Sequence, residues 1–390
     1  MLYRVVKLFV RLAVRLFCRK ITINDTHLLQ SKGPLLLACN HPNSFLDAII
    51  LGSLFQRPVH FLARGDAFRT PHVNKLLTAL KLIPIYRLSE GREYLALNDA
   101  TFEQCRQILL EGGIVLIFSE GLCVNQWALR PLKKGTARIA LNAWAQPAIK
   151  HFLHVLPVSI NYNGFRQIGK RVIIHFGEAI TWEELPEATT EGEAIQNFNN
   201  VLSEKLKKGM LQSNEDNEIV QLLISNHTLS AKTSTNLISI LQQKQQYAKN
   251  HQLLPIGKRL KSPGLIAINS TMFLVNTLGV LVLLIPACTG WLLHAGLYLP
   301  LKSFVKKKTT GTVFYDSVMF GGLLLLYPFY WLVISGISLF FIHNWYIKII
   351  LLLLPVIAWL YLLWKDCLQR VLNYLSLDSF QRRYIKQLFS

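Results

Sequence analysis

An apolar run, Leu35-Leu-Leu-Ala-Cys39, delivers Asn40 and His41 to a loop, and Ser44-Phe-Leu-Asp47 then opens an amphipathic segment. Free imidazole titrates near neutrality, so a histidine at this exit is placed to act as a general base. A carboxylate in the following turn can hold the ring in one tautomer and stabilise its protonated form. Each residue also has an ordinary reading. Ser44…Asp47 fits a helix-capping box, and His41 alone fits a hydrogen-bonded loop histidine. On an ideal helix six residues of separation do not align two side chains. His41 must therefore lie off the helix, with the chain folding back at Pro42-Asn43.

Three later segments carry charge in positions that suit an anionic or polyol ligand. Leu82-Ile-Pro-Ile-Tyr-Arg87 ends in an arginine after a short extended piece, and the guanidinium fork matches phosphate in bidentate fashion. Phe118-Ser-Glu-Gly121 puts Glu120 and Gly121 just after an apolar run, where they either bind a polyol or make a turn. Lys133-Lys-Gly-Thr136 opens an apparent helix. Cations at a helix start oppose the dipole unless an anion is bound there.

These residues need a scaffold that brings them together. Between residues 34 and 180, apolar runs alternate with amphipathic segments. The pattern predicts strands over Leu35–Cys39, Val59–Ala63, Ile114–Phe118, Val155–Ile160 and Arg171–Phe176. It predicts helices over Phe45–Phe55, Pro71–Leu82, Tyr94–Glu111 and Lys134–Trp144. Such alternation implies an α/β layer structure with a central sheet flanked by helices. Ligands of these sheets sit at the carboxyl ends of the strands. His41 and Glu120 each follow a strand, so they are expected to meet on one edge.

The rest of the chain points to a membrane. Of 390 residues 51% are hydrophobic, and the net charge is +20 with a pI near 9.8. The apolar excess lies after residue 264, which favours a phospholipid membrane with anionic lipids over nucleic acid as partner. No basic block with interleaved aromatics supports strand binding, and no metal-ligand spacing occurs. The six cysteines are scattered without C-x-x-C, which fits a reducing compartment. Arg4, Lys7, Arg11, Arg15 and Arg19 form one stripe of a basic amphipathic helix, to lie in a membrane interface or to pack on the domain. Thr181-Trp-Glu-Glu184 is read as a capping box before a polar helical connector, and Lys258, Arg259 and Lys261 precede a boundary at Pro263-Gly264.

Beyond that boundary, Leu265–Ile285 is about long enough to span a bilayer. Pro286 and Gly290 are expected to break it, leaving Trp291–Pro300 as a re-entrant or bent piece. Val313–Phe341 and Trp345–Trp364 read as two further spans. Lys302 and Lys306–Lys308 are placed in a basic loop, and Lys365, Arg370, Arg382, Arg383 and Lys386 in a basic tail. The positive-inside rule puts the catalytic domain, loop and tail in the cytoplasm, with two helical hairpins between. The division is therefore 1–25 basic surface helix, 26–182 catalytic domain, 183–262 helical connector and 263–390 membrane domain. The location expected is a bacterial inner membrane.

Taken together, residues 30–180 resemble the glycerolphosphate acyltransferase (lysophosphatidate acyltransferase-like) family in all four of its blocks. Block one is Asn40-His41-x5-Asp47, one residue longer than the common Asn-His-x4-Asp and similar to the fungal-type glycerol-3-phosphate acyltransferase subgroup. Block two is Ile83–Arg87, with Phe61-Leu-Ala-Arg64 upstream, and block three is Phe118-Ser-Glu-Gly121 followed by Leu132-Lys-Lys-Gly135. Block four is Leu156–Ile160. Two departures stand out: Ser119 replaces the usual proline, and Cys123 stands where many members carry a phosphate-binding arginine.

The resemblance implies an α/β acyltransferase domain with a C-terminal α-helical membrane domain. It implies transfer of a fatty acyl group from a thioester to a glycerol-phosphate hydroxyl, with no covalent enzyme intermediate and no cofactor. The acyl donor, acyl-CoA or acyl carrier protein, is a co-substrate. His41 and Asp47 would be catalytic, Arg87 and Lys133 would bind phosphate, and Glu120 with the Gly121 backbone would position the polyol. The acceptor is glycerol-3-phosphate or 1-acylglycerol-3-phosphate. A Ser-His-Asp lipid hydrolase would need Gly-x-Ser-x-Gly, which is absent. A non-catalytic membrane adaptor would not need four ordered polar blocks.

Overall fold

Leu35–Cys39 (β2) is buried at every position because helices cover it on both sides. Leu35, Leu37 and Cys39 point into one apolar cluster, Leu36 and Ala38 into another, as the two-residue period of a strand requires. The computed structural model describes residues 2–87, 91–213, 217–227, 236–250, 264–341 and 343–389.

Helix α1 (Leu2–Phe17) leads into β1 (Cys18–Ile23), then β2, α2 (Phe45–Leu54), β3 (Val59–Arg64), α3 (Pro71–Ala79) and β4 (Leu82–Ile85). There follow α4 (Leu97–Leu110), β5 (Ile114–Phe118), α5 (Lys134–Trp144), β6 (His154–Tyr162) and β7 (Lys170–Phe176). The seven strands form one sheet in the order β1-β7-β6-β2-β5-β3-β4. All neighbours run parallel except β6 and β7. Helices α1 and α2 cover one face, and α4 and α5 cover the other.

The register decides where the site lies. Cys39 pairs with Phe118 on one side and Val158 on the other, so β2 and β5 end level while β6 runs on beside them to Tyr162. Asn40 locks this junction, its amide donating to the Ile160 carbonyl at 3.1 Å and accepting from the Ile160 N–H at 2.8 Å.

Several sequence expectations are corrected. The helix expected over 71–82 stops at Ala79, because Lys81 takes a positive φ of 67° and Leu82 already belongs to β4. The helix expected from Tyr94 begins at Leu97, after a single turn of 3-10 helix over Arg92–Tyr94. β1 was not foreseen; its Arg19 and Lys20 hide an edge strand inside what reads as a basic helix. The capping box is Thr190…Glu193 rather than Thr181…Glu184: the Thr190 side chain accepts from the Glu193 N–H, and α6 runs Glu191–Lys208.

Helices α7 (Asn217–Asn226) and α8 (Leu237–Asn250) form a small cluster with the chain end. Lys258, Arg259, Lys261 and Pro263 lie outside the described residues. Next come α9 (Ser270–Val282) and α10 (Leu284–Lys308). The break expected at Pro286 falls at Leu283, between α9 and α10, and Pro286 sits in the first turn of α10, where proline removes no intrahelical bond. Trp291–Pro300 is therefore continuous helix, and Lys306–Lys308 form its last turn rather than a loop. α11 (Tyr315–Phe341) is unbroken, but 345–364 divides at Leu353 into α12 (Trp345–Leu352) and α13 (Leu354–Ser376), ahead of Pro355. α14 (Ser379–Phe389) ends the chain. Among the described residues, α10 and α11 are long and apolar enough to cross a membrane.

α1 is amphipathic in the opposite sense to a soluble surface helix. Lys7 donates to the carbonyls of Gln56 and Arg57, and Arg11 to those of Ser53, Leu54 and Phe55, satisfying the open C-terminus of α2. Its apolar face points outward instead, with Leu8, Phe9 and Leu12 more than half exposed.

Candidate active site

Three strand exits build the centre of the site. From β2 the chain turns through His41-Pro42-Asn43 into α2, and Nδ1 of His41 lies 2.9 Å from Oδ2 of Asp47. The same oxygen accepts from the Asn43 backbone N–H at 2.8 Å, and Oδ1 accepts from the Tyr162 hydroxyl at 2.8 Å. Two donors thus already occupy a fully buried carboxylate. The third contact places a proton on Nδ1 and leaves Nε2 as the basic nitrogen. Burial first, and then the charge of Asp47, push the Tyr162 hydroxyl well above its usual range, so it stays a donor. The imidazole stacks on Phe118 at 3.8 Å between ring centroids, which fixes its plane. The capping-box reading of Asp47 is corrected: no side chain of Ser44 caps α2, and Asp47 turns back to the histidine.

Block three supplies the adjoining wall. Glu120 is buried and accepts from the His41 backbone N–H at 3.3 Å. Burial, the largest effect, raises its carboxyl to about 7. Gly121 has a φ of +69°, and a Cβ there would meet Cγ of Lys133 at 2.9 Å. Glycine is required on both counts. Ser119, in the place of the usual proline, accepts from the Thr136 hydroxyl at 2.9 Å and so ties this turn to the start of α5. Cys123 accepts from the Ser44 N–H. Burial pushes its thiol far up, which leaves it a neutral packing group rather than a nucleophile.

His41, Arg87, Gly121 and Lys133 all line one cavity of about 930 Å³. Asp47 and Glu120 are not on its wall; they stand behind it and hold the His41 loop. The cavity has two characters. Lys133, Lys134 and Arg138 bring positive charge to the wall at the start of α5, and Arg87 also lines the cavity, a set of groups that suits an anion. The remainder is largely apolar, running between α1 (Val6, Val10), α2 (Ile49, Gly52), β3 (Phe61, Leu62) and the end of α3 (Leu77, with Leu80 just beyond it), although Lys7 and Arg64 also reach the wall. Phe314 also reaches the wall, stacked on Phe45 at 5.9 Å. Among the described residues no group of His, Cys, Asp or Glu is arranged to hold a metal ion.

Tyr162 escaped the sequence reading. The available signal was period two: Val158, Ile160 and Tyr162 share the β6 face that packs on α2, and a buried tyrosine hydroxyl needs a partner.

The segment of residues 20–161 matches the family model described as Acyltransferase. It contains His41, Asp47, Arg87, Glu120, Gly121 and Lys133. No curated protein matches the sequence. Among solved structures, the chain is similar to the 1-acyl-sn-glycerophosphate (LPA) acyltransferase PlsC from Thermotoga maritima. Identity is 18%, the match covers 58% of this chain and 81% of that one, and the TM-score is 0.40.

Proposed function

We propose that the protein is a membrane-bound O-acyltransferase that moves a fatty acyl group from a thioester to a hydroxyl of a glycerol phosphate. One observation carries the reading: the Asp47-oriented imidazole of His41 opens onto a cavity that is apolar over most of its length and cationic at one part. An acyl chain and a phosphate are the two groups such a cavity separates.

In this mechanism Nε2 of His41 takes the proton of the acceptor hydroxyl as its oxygen attacks the thioester carbonyl. The thiolate leaves, and the imidazolium returns the proton. Asp47 stabilises the imidazolium, and general-base help of this kind contributes roughly 10²–10⁴-fold. Arg87 and Lys133 hold the acceptor phosphate. The Gly121 backbone faces the polyol, while Glu120 steadies the His41 loop from behind. The longer His-x5-Asp spacing favours glycerol-3-phosphate over 1-acylglycerol-3-phosphate as acceptor, as in the fungal-type subgroup. Helices α10 and α11, the outward apolar face of α1 and the strong positive charge support binding to a bilayer with anionic lipids. We place the protein in a bacterial inner membrane with its catalytic side toward the cytoplasm.

The test is purified protein in vesicles, with labelled acyl-CoA or acyl carrier protein, against glycerol-3-phosphate and 1-acylglycerol-3-phosphate in parallel. Acceptor-dependent ester formation that His41→Ala abolishes is the expected outcome. Donor hydrolysis indifferent to acceptor would point to a lipid hydrolase, and no turnover of either substrate to an adaptor.

A further inference from the structure

Helix α2 begins at Phe45 with its N-cap at Ser44, whose side chain makes no capping hydrogen bond. The open N–H of Leu46 is met by the hydroxyl of Ser317 at 3.1 Å, from 271 residues away in sequence. The same hydroxyl reaches the carbonyl of Asn43 at 3.5 Å. Ser317 therefore clamps the two ends of Asn43–Leu46, the segment that carries the chain from the His41 loop into the Asp47 helix.

That segment needs a clamp. Ser44 sits at φ 54° and ψ −142°, a conformation that an L-residue adopts only when its surroundings impose it. Ser317 is itself held in place, because its neighbour Asp316 forms a fully buried ion pair with Lys170 at 2.7 Å. Asp316 also accepts from the backbone N–H groups of Arg166 and Gln167.

We propose that Ser317 is a positioning residue for the catalytic dyad. It caps α2 at the Leu46 N–H while Cys123 takes the Ser44 N–H, so the Asp47 carboxylate is not drawn to Ser44 and stays on His41 and the Asn43 N–H. The residue lies outside the acyltransferase-family segment 20–161, at the head of an apolar helix. This inference rests on the acyltransferase reading.

Full-length Ser317→Ala, Ser317→Cys and Ser317→Thr, assayed in vesicles beside His41→Ala, test it. Alanine is expected to lower kcat about 5- to 50-fold while KM for donor and acceptor stays within about twofold, since one neutral capping bond is lost. Threonine, which keeps the hydroxyl, restores kcat. Cysteine, near-isosteric and a poorer acceptor, falls between wild type and alanine, and decides the matter if the alanine variant does not fold. Wild-type kcat in the cysteine variant, or in a folded alanine variant, overturns the proposal, as does an equal loss in threonine. If His41→Ala turns over like wild type, the acyltransferase reading itself fails. An inactive His41→Ala beside a fully active Ser317→Ala removes only the role of Ser317.

Discussion

The Tyr162 hydroxyl donates to Oδ1 of Asp47 at 2.8 Å, and Asp47 in turn holds Nδ1 of His41 at 2.9 Å. The dyad suggested by the sequence is thus the outer part of a buried three-residue chain, whose innermost member stands on a different strand. Tyr162→Phe should leave one oxygen of a buried carboxylate short of a donor, at a cost of about 1–3 kcal/mol in stability. Asp47 becomes less well held, so kcat should fall by about 10-fold. Denaturant unfolding and steady-state assays on the same sample check both numbers. A variant with unchanged stability would show that the hydroxyl bond is not formed.

Asp47→Asn keeps the shape and removes the charge that supports the imidazolium. The expected loss in kcat is about 10²–10⁴-fold, comparable to that of His41→Ala, because the two residues act as one unit. The double variant should be little worse than either single one. Additive losses would separate their roles.

Glu120 gives the fold a pH dependence of known sign. Its folded carboxyl is raised to about 7, above the usual carboxylate range. The folded state therefore favours the protonated form. Stability from this group is full below about pH 4.5 and is lost as pH rises through about 7. Glu120→Gln retains an acceptor for the His41 N–H and cannot ionise. Relative to wild type it should gain stability between pH 5 and pH 8, by about 1–3 kcal/mol. Parallel unfolding curves at the two pH values test this, and an equal difference at both would contradict it.

Gly52 lies on the cavity wall, and a Cβ there would meet the ring of Phe61 at 2.4 Å. Gly52→Ala must push that ring into the apolar part of the cavity. Donors with long acyl chains should lose about 10-fold in kcat/KM, while short-chain donors are spared. A uniform loss across chain lengths would place the acyl group elsewhere.

Much of this was legible in the chain. The strand exits at Cys39 and Phe118 follow from their apolar runs, and their adjacency follows from parallel α/β topology, so His41 and Glu120 met where expected. What the residues could not reveal was direction. Glu120 was expected to face a polyol and instead faces the His41 backbone, because side-chain orientation after a strand depends on the turn that follows. Lys7 and Arg11 read as a solvent or lipid stripe, but their targets, the carbonyls ending α2, only exist once α1 has docked. Tyr162 and Ser317 were hidden for a plainer reason: their partners are 115 and 271 residues away, and no local pattern records a hydrogen bond across such a gap.

The cavity wall draws on Val6, Val10 and Phe314, and the dyad leans on Tyr162 and Ser317. None of these falls within residues 20–161. A fragment excised at the family boundaries would carry His41, Asp47, Arg87 and Lys133 intact, yet with an opened cavity and an uncapped α2. Grafting that fragment onto an unrelated carrier would therefore transplant the reagents without their vessel. The candidate site of this protein draws on its first helix and on its C-terminal third.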